Sequence, residues 1–251
     1  MAKVDGIIEI NGTVKGITFY RTKYGIYARA KGGISKKRIQ TDPAFERTRE
    51  NCSEFGHCAK MGQLLRKSVG GLQLLAKDSR VSSRLSKVMN QIKNLDVISV
   101  RGQRRVGIGL QTLEGKKLLK GFDFNDNALM GTVFRGQFIL DNSTRVVVLN
   151  DFSPSGQMVL ADGATHISLS TIVSNVDFEQ AVYSSCSSAK VNIDVSAPMA
   201  NYTFTPSATL DGTGIMFCFF LIEFFQEING IQYSLKNNSF NVLSVLEVGG
   251  S

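Results

Sequence analysis

The sequence contains no tryptophan, and only two histidines and four prolines among its 251 residues. Without tryptophan, the chain cannot build the indole-centred core of an antibody-type sandwich. The histidines, His57 and His166, are far apart in the chain, so a histidine-rich metal centre has little to draw on. Also absent are the G-x-x-x-x-G-K-[ST] phosphate loop, the H-E-x-x-H metalloprotease motif and the G-x-S-x-G nucleophile elbow. Gly107-Ile108-Gly109 lacks the third glycine of a dinucleotide site. The longest apolar run, residues 215–225, is about half the length of a membrane-spanning helix. It is rich in Phe and Ile, as a buried strand would be.

Met1-Ala2-Lys3-Val4-Asp5-Gly6 shows none of the apolar character of a secretory signal. The expectation is a soluble chain made in the cytoplasm, with Cys52, Cys58, Cys186 and Cys218 reduced. Cys52, His57 and Cys58 lie close together, but their spacing does not fit a zinc knuckle. His166, alone at the start of a β-prone run, reads as a structural histidine, and the acidic residues of the second half are scattered singly. The chain is therefore expected to be non-enzymatic, with no catalytic, metal-binding or cofactor-binding residue and no small-molecule substrate.

What the sequence does have is charge, unevenly placed. Residues 1–120 carry 25 Lys/Arg against nine Asp/Glu, a net +16; residues 121–251 carry four against twelve, a net −8. Such a division suits a polyanion partner for the first half. It equally suits a neighbouring copy whose acidic end meets the basic end.

Along the chain, residues 7–10 read as a strand leading into an Asn11-Gly12 turn, followed by strands at residues 13–21 and 26–30 around a turn at Lys23-Tyr24-Gly25. A ribbon this small has little apolar face and must lean on another surface. Asp42-Pro43 is a helix start, the acid capping free N–H groups and the proline preset for the first turn. Phe45, Cys52, Phe55, Ala59 and Leu64 or Leu65 then recur at helical spacing to about Val69, before a Gly70-Gly71 break. A second helix is predicted from about Asp78 to Leu95, with Val81, Leu85, Val88, Ile92 and Leu95 on one face and Arg80, Arg84 and Lys87 on another. Beyond residue 121, β-prone runs at 132–140, 144–149, 166–173, 190–195, 214–228 and 231–248 alternate with turns at Asp141-Asn142, Asp162-Gly163, Asp211-Gly212 and Asn237-Asn238. The predicted class is α+β: a β-ribbon arm (residues 1–40), a basic helical segment (41–120) and a C-terminal antiparallel β-sandwich (121–251), immunoglobulin-like in outline.

Two partner classes follow. Phe19, Tyr20 and Tyr27 interleave with Arg21 and Arg29, a mixture in which aromatic faces stack on bases and cations hold phosphates. Arg80, Arg84 and Lys87, with Arg101, Arg104 and Arg105, add cations that suit tracking a nucleic-acid backbone. The same residues serve contacts between copies of the chain. Self-assembly accounts together for the unsupported ribbon, the opposite charges and the long apolar C-terminal run, and head-to-tail contacts of unlike surfaces make rings or filaments.

Several stretches resemble a family of uncharacterised bacterial proteins with the same three-part layout. The likeness is carried by Asn11-Gly12-Thr13, Thr18-Phe19-Tyr20, the stretch from Ala28 to Gly33, and above all Asp42-Pro43-Ala44-Phe45 with Arg47-Thr48-Arg49-Glu50-Asn51. It continues in Glu54-Phe55-Gly56, Arg101-Gly102-Gln103-Arg104, the stretch from Gly121 to Asn125, Ala164-Thr165-His166, and the stretch from Phe225 to Gly230. An opening hairpin followed by an arginine-rich helix is similar to phage-type and surface structural proteins. The resemblance implies a structural subunit and no catalytic role for any residue.

Overall fold

The structure, a computed structural model, describes residues 2–4, 10–76, 78–235 and 240–249, with side chains from residue 10 onward. The expected strand at residues 7–10, apart from Ile10, and the Asn237-Asn238 turn lie outside the described residues. Contacts divide the chain into two units, Met1–Arg49 and Glu50–Ser251.

In the first unit, strands β1 (Ala2–Val4), β2 (Gly12–Val14), β3 (Ile17–Thr22) and β4 (Gly25–Ala30) form one antiparallel sheet in the order β1-β4-β3-β2. Gly12 begins β2, and a two-residue hairpin turn at Lys15-Gly16 joins β2 to β3. Both residues have positive φ, 44° and 85°, which suits the twist of a two-residue hairpin. The predicted single strand at residues 13–21 is thereby split in two. The short helix α1 (Lys36–Thr41) follows, capped by the Ser35 side chain. Asp42 then accepts from the Ala44 N–H at 2.9 Å and opens a 3-10 turn over Pro43–Phe45. That turn leads into α2 (Glu46–Ser68), so the predicted start holds.

In the second unit α2 is followed by α3 (Val81–Lys93), α4 (Val106–Gly109), α5 (Leu113–Leu119) and α6 (Met130–Val133). The apolar stripe predicted on α2 is rotated. Cys52 and Phe55 are exposed, while Glu54, Cys58, Met61, Leu65 and Ser68 face inward. A carboxylate takes an inward position because Lys93 on α3 neutralises it there. Leu85 of α3 packs against Gly62, and Val81, Leu85, Met89 and Ile92 form the buried face of α3. Helices α4 and α5 follow the two predicted helices and fall within the basic helical segment expected over residues 41–120. They pass so close to α3 that a methyl group on Gly109 would sit 2.0 Å from the Ile92 carbonyl oxygen.

The β-structure begins with β5 (Phe138–Leu140) and β6 (Val147–Phe152), then the helical turn α7 (Pro154–Gln157). It continues with β7 (His166–Asp177), β8 (Val182–Ser187), β9 (Val191–Asp194), β10 (Ala200–Phe204), β11 (Ile215–Ile228), β12 (Ile231–Ser234) and β13 (Val242–Val248). All pairings are antiparallel. β10-β6-β5 form a small sheet. In the larger sheet the long strands β7 and β11 pair centrally, flanked by β8 and β9 on one side and β12 and β13 on the other. The sheet curls until Asn192 of β9 donates to Gln232 of β12.

β11 is buried on both faces, which explains its unbroken apolar run. Phe217, Phe219 and Leu221 join Leu65, Leu85 and Ile92 in one core; Cys218, Phe220, Ile222 and Phe224 join Val147, Phe152 and Phe204 in another. Alternate residues of β11 thus share one core with β6 and β10 and the other with α2 and α3. The helical segment and the β-region, separable in sequence by charge, share a core.

Candidate functional site

The charge division looks different against this fold. Residues 50–251 carry 18 Lys/Arg against 17 Asp/Glu, a net +1, whereas residues 1–49 carry 11 against four, a net +7. The basic helices and the acidic β-region belong to one nearly neutral body. Charges are also paired across it, as in Lys120–Glu247 at 2.6 Å and Arg80–Asp126 at 3.9 Å. Most of the net positive charge lies on the ribbon.

The ribbon presents its sequence-predicted residues on adjacent strands. Tyr20 of β3 pairs with Tyr27 of β4, and their rings stack with centroids 6.2 Å apart. The Arg29 guanidinium lies 5.4 Å from the Tyr20 ring centre, and the Lys23 ammonium 4.8 Å from that of Tyr24. Phe19 and Arg21 flank Tyr20 on β3, with Phe19 half-buried and Arg21 exposed. None of the described side chains in residues 10–49 is buried, and Val14 and Ile17 are about half exposed, at 51% and 45%. The sheet has a defined register and one aromatic stack, and no buried apolar core among its described residues.

The other six predicted residues lie in the second unit, where Arg80, Arg84 and Arg101 are ion-paired. Arg84 pairs with Asp78 at 2.5 Å, donates to the carbonyls of Asp123 and Phe124, and covers the Phe122 ring. It ties α3 to the chain leading into the β-region. Arg101 pairs with Glu50 at 2.8 Å. Arg80 and Lys87 are exposed on α3.

Arg104 and Arg105 belong to a loop, residues 94–105, organised by Asp96. Its buried carboxylate accepts from the N–H groups of Ile98 (3.0 Å), Ser99 (2.9 Å) and Arg105 (2.8 Å). Burial alone raises its pKa, but these bonds outweigh it and hold the carboxyl at about 2. The loop folds back over α2 and frames a small cleft of about 90 Å³ lined by Ser53, Glu54, His57, Gly102, Gln103, Arg104 and Arg105. Glu54 accepts from Lys93 and from the Gly102 N–H at 2.7 Å. Burial raises its carboxyl, yet these partners more than compensate and keep it below the ordinary value. His57 Nε2 accepts from the Val106 N–H at 3.1 Å. Burial pushes its pKa down, and the charges of Arg105 and Lys60 push the same way.

Among the described residues no three His, Cys, Asp or Glu side chains are placed to hold a metal. Cys52 is exposed while Cys58 is buried, its thiol pushed up to about 11 by burial, so the two do not converge on His57. His166 sits on the curled sheet with Nδ1 3.0 Å from the Thr165 hydroxyl and Nε2 3.6 Å from Glu227. All four cysteines are free, and no described helix is long and apolar enough to cross a membrane.

Sequence reasoning missed Glu54, Lys93 and Asp96. Only Asp96 carried a local signal, a carboxylate followed two and three residues later by N–H groups it can cap. Comparison of the chain with protein-family models, with curated proteins and with solved structures finds no match in any of the three.

Proposed function

We propose that this chain is a non-enzymatic structural subunit that self-assembles, with the N-terminal unit docking on a neighbouring copy. The observation that carries the reading is a four-stranded sheet in which no described side chain is buried. A sheet is stable when one face is covered by another element. Here the cover is the adjoining subunit. Its edges are β1 and β2, and an edge strand offers unpaired N–H and C=O groups that extend a neighbouring sheet. The net +7 of residues 1–49 steers the arm toward exposed carboxylates on the nearly neutral body of the neighbouring copy. Apolar contact supplies most of the affinity and charge supplies orientation and rate. Because arm and receiving surface differ, the contact is heterologous and propagates into a filament, tube or virion-like shell.

The test is Val14→Glu with Ile17→Glu, at two exposed positions of the ribbon. Sedimentation velocity of the full-length double variant is expected to show monomers where the natural chain polymerises, with the thermal unfolding of the second unit unchanged. Polymerisation equal to that of the natural chain would remove the ribbon from the contact.

A second reading has its own observation. The Tyr20–Tyr27 stack with Arg29 over Tyr20 is the mixture of aromatic faces and cations that binds single-stranded nucleic acid. On that reading Tyr20→Ala with Arg29→Ala lowers oligonucleotide affinity and flattens its salt dependence. Retained affinity would exclude this face.

A further inference from the structure

We propose that the cleft between α2 and the 94–105 loop binds a phosphate-type oxyanion, held by Arg104 and Arg105 with Ser53 and His57 as neutral hydrogen-bond donors. The inference concerns only the second unit and does not rest on the assembly reading. Its starting point is Arg104, which lines the cleft and whose Nε is shielded from solvent without a hydrogen-bond partner among the described residues. An unsatisfied buried donor on a charged group is costly. The same group satisfied by an oxyanion makes a short, charge-assisted bond in a planar fork that matches phosphate geometry.

The rest of the lining agrees in sign and in chemistry. Its one carboxylate, Glu54, is neutralised by Lys93 and also accepts the Gly102 N–H, so it does not repel an anion as a free acid would. His57 receives the Val106 N–H on Nε2. That nitrogen therefore carries no proton, and the neutral ring keeps its proton on Nδ1 as a donor. Ser53 adds a hydroxyl, and Arg105 and Lys60 both act on His57 as positive neighbours. The volume, about 90 Å³, corresponds to about three water molecules. That is room for a phosphate group and too little for a base and sugar. A cation is disfavoured, because two arginines line the cleft and its one carboxylate is already neutralised.

The ribbon also attracts anions, so the test needs a readout confined to the cleft. Full-length protein is titrated with inorganic phosphate against chloride at matched ionic strength. Modification of each histidine by diethyl pyrocarbonate is then followed by peptide mass spectrometry, a measurement indifferent to polymerisation. Phosphate is expected to protect His57 saturably and to leave His166 as reactive as in chloride. Arg104→Gln is expected to raise the half-protecting concentration on the order of tenfold. Arg105→Gln, at an exposed position, should act in the same direction without threatening the fold. His57 protection that matches chloride, or that neither variant weakens, would overturn the proposal. A parallel titration with a short single-stranded oligonucleotide identifies the source of the phosphate. Protection at far lower concentration assigns a nucleic-acid backbone, and its absence assigns the free ion.

Discussion

Replacing Asp96 by Asn isolates the group that shapes the loop around the cleft. The carboxylate is 1% exposed and accepts three backbone N–H groups. Its pKa falls from 3.8 to about 2, which corresponds to about 2 kcal/mol favouring the charged form in the folded state. The folded-state value lies below the unfolded one, so this stability is fully present above pH 3.8 and is lost as pH falls through about 2. Asn removes the charge. It also turns an NH2 toward one of the N–H donors, leaving a buried donor unpaired at a cost of about 1–3 kcal/mol. The loop keeps its ties through Gly102 to Glu54 and through Arg101 to Glu50. We therefore expect a loss of about 2–3 kcal/mol at pH 7, or roughly 4–12 °C in Tm for a body of this size. Urea unfolding should be followed by far-UV circular dichroism, because the chain has no tryptophan to report by fluorescence. The gap between natural and variant protein should narrow as pH drops from 4 toward about 2. A neutral-pH difference within about 0.5 kcal/mol, the range of an ordinary surface substitution, would refute the reasoning.

Other outcomes follow from the same geometry. Glu54→Ala strands Lys93, which is 8% exposed, and should cost about 3–5 kcal/mol by denaturation, whereas Glu54→Leu with Lys93→Met should recover most of that. A loss no larger for the single than for the double variant would contradict this. In native protein a thiol reagent at mildly alkaline pH should label the exposed Cys52 first. Cys58 and Cys218, whose thiols burial raises to about 11 and about 12, should react only on unfolding. Gly109→Ala should destabilise by at least about 1–3 kcal/mol, since its methyl would meet the Ile92 carbonyl oxygen; a neutral effect would mean that α3 and α4 separate freely.

How far the sequence revealed these features depended on whether the signal was local. The Asp42-Pro43 cap and the Gly70-Gly71 break act within one turn of chain, and both were legible. So was β11, where a long Phe- and Ile-rich run has few alternatives to burial. The α2 stripe was misplaced because apolar periodicity assigns Phe55 inward, while the buried position belongs to Glu54, made tolerable by Lys93, 39 residues away. Strands β8 and β10 were missed because their residues are mostly exposed, leaving no alternation to read. The same limit governed charge. Division at residue 120 produced a dipole, whereas the fold joins residues 50–251 in one nearly neutral body and leaves most of the net charge on the ribbon. The cations of the cleft, Arg104 and Arg105, were visible as a basic cluster. The neutralised Glu54 and the loop-organising Asp96 depend on tertiary contacts and were not.

The most direct test of the central claim is negative-stain electron microscopy of the purified full-length chain across a salt series, with the 260/280 nm absorbance ratio recorded on each sample. Expected are regular polymers with a protein-like ratio, forming more slowly as salt screens the arm but persisting once formed. Uniform small particles that retain nucleic acid until high salt would contradict that claim and make the ribbon a nucleic-acid-binding surface.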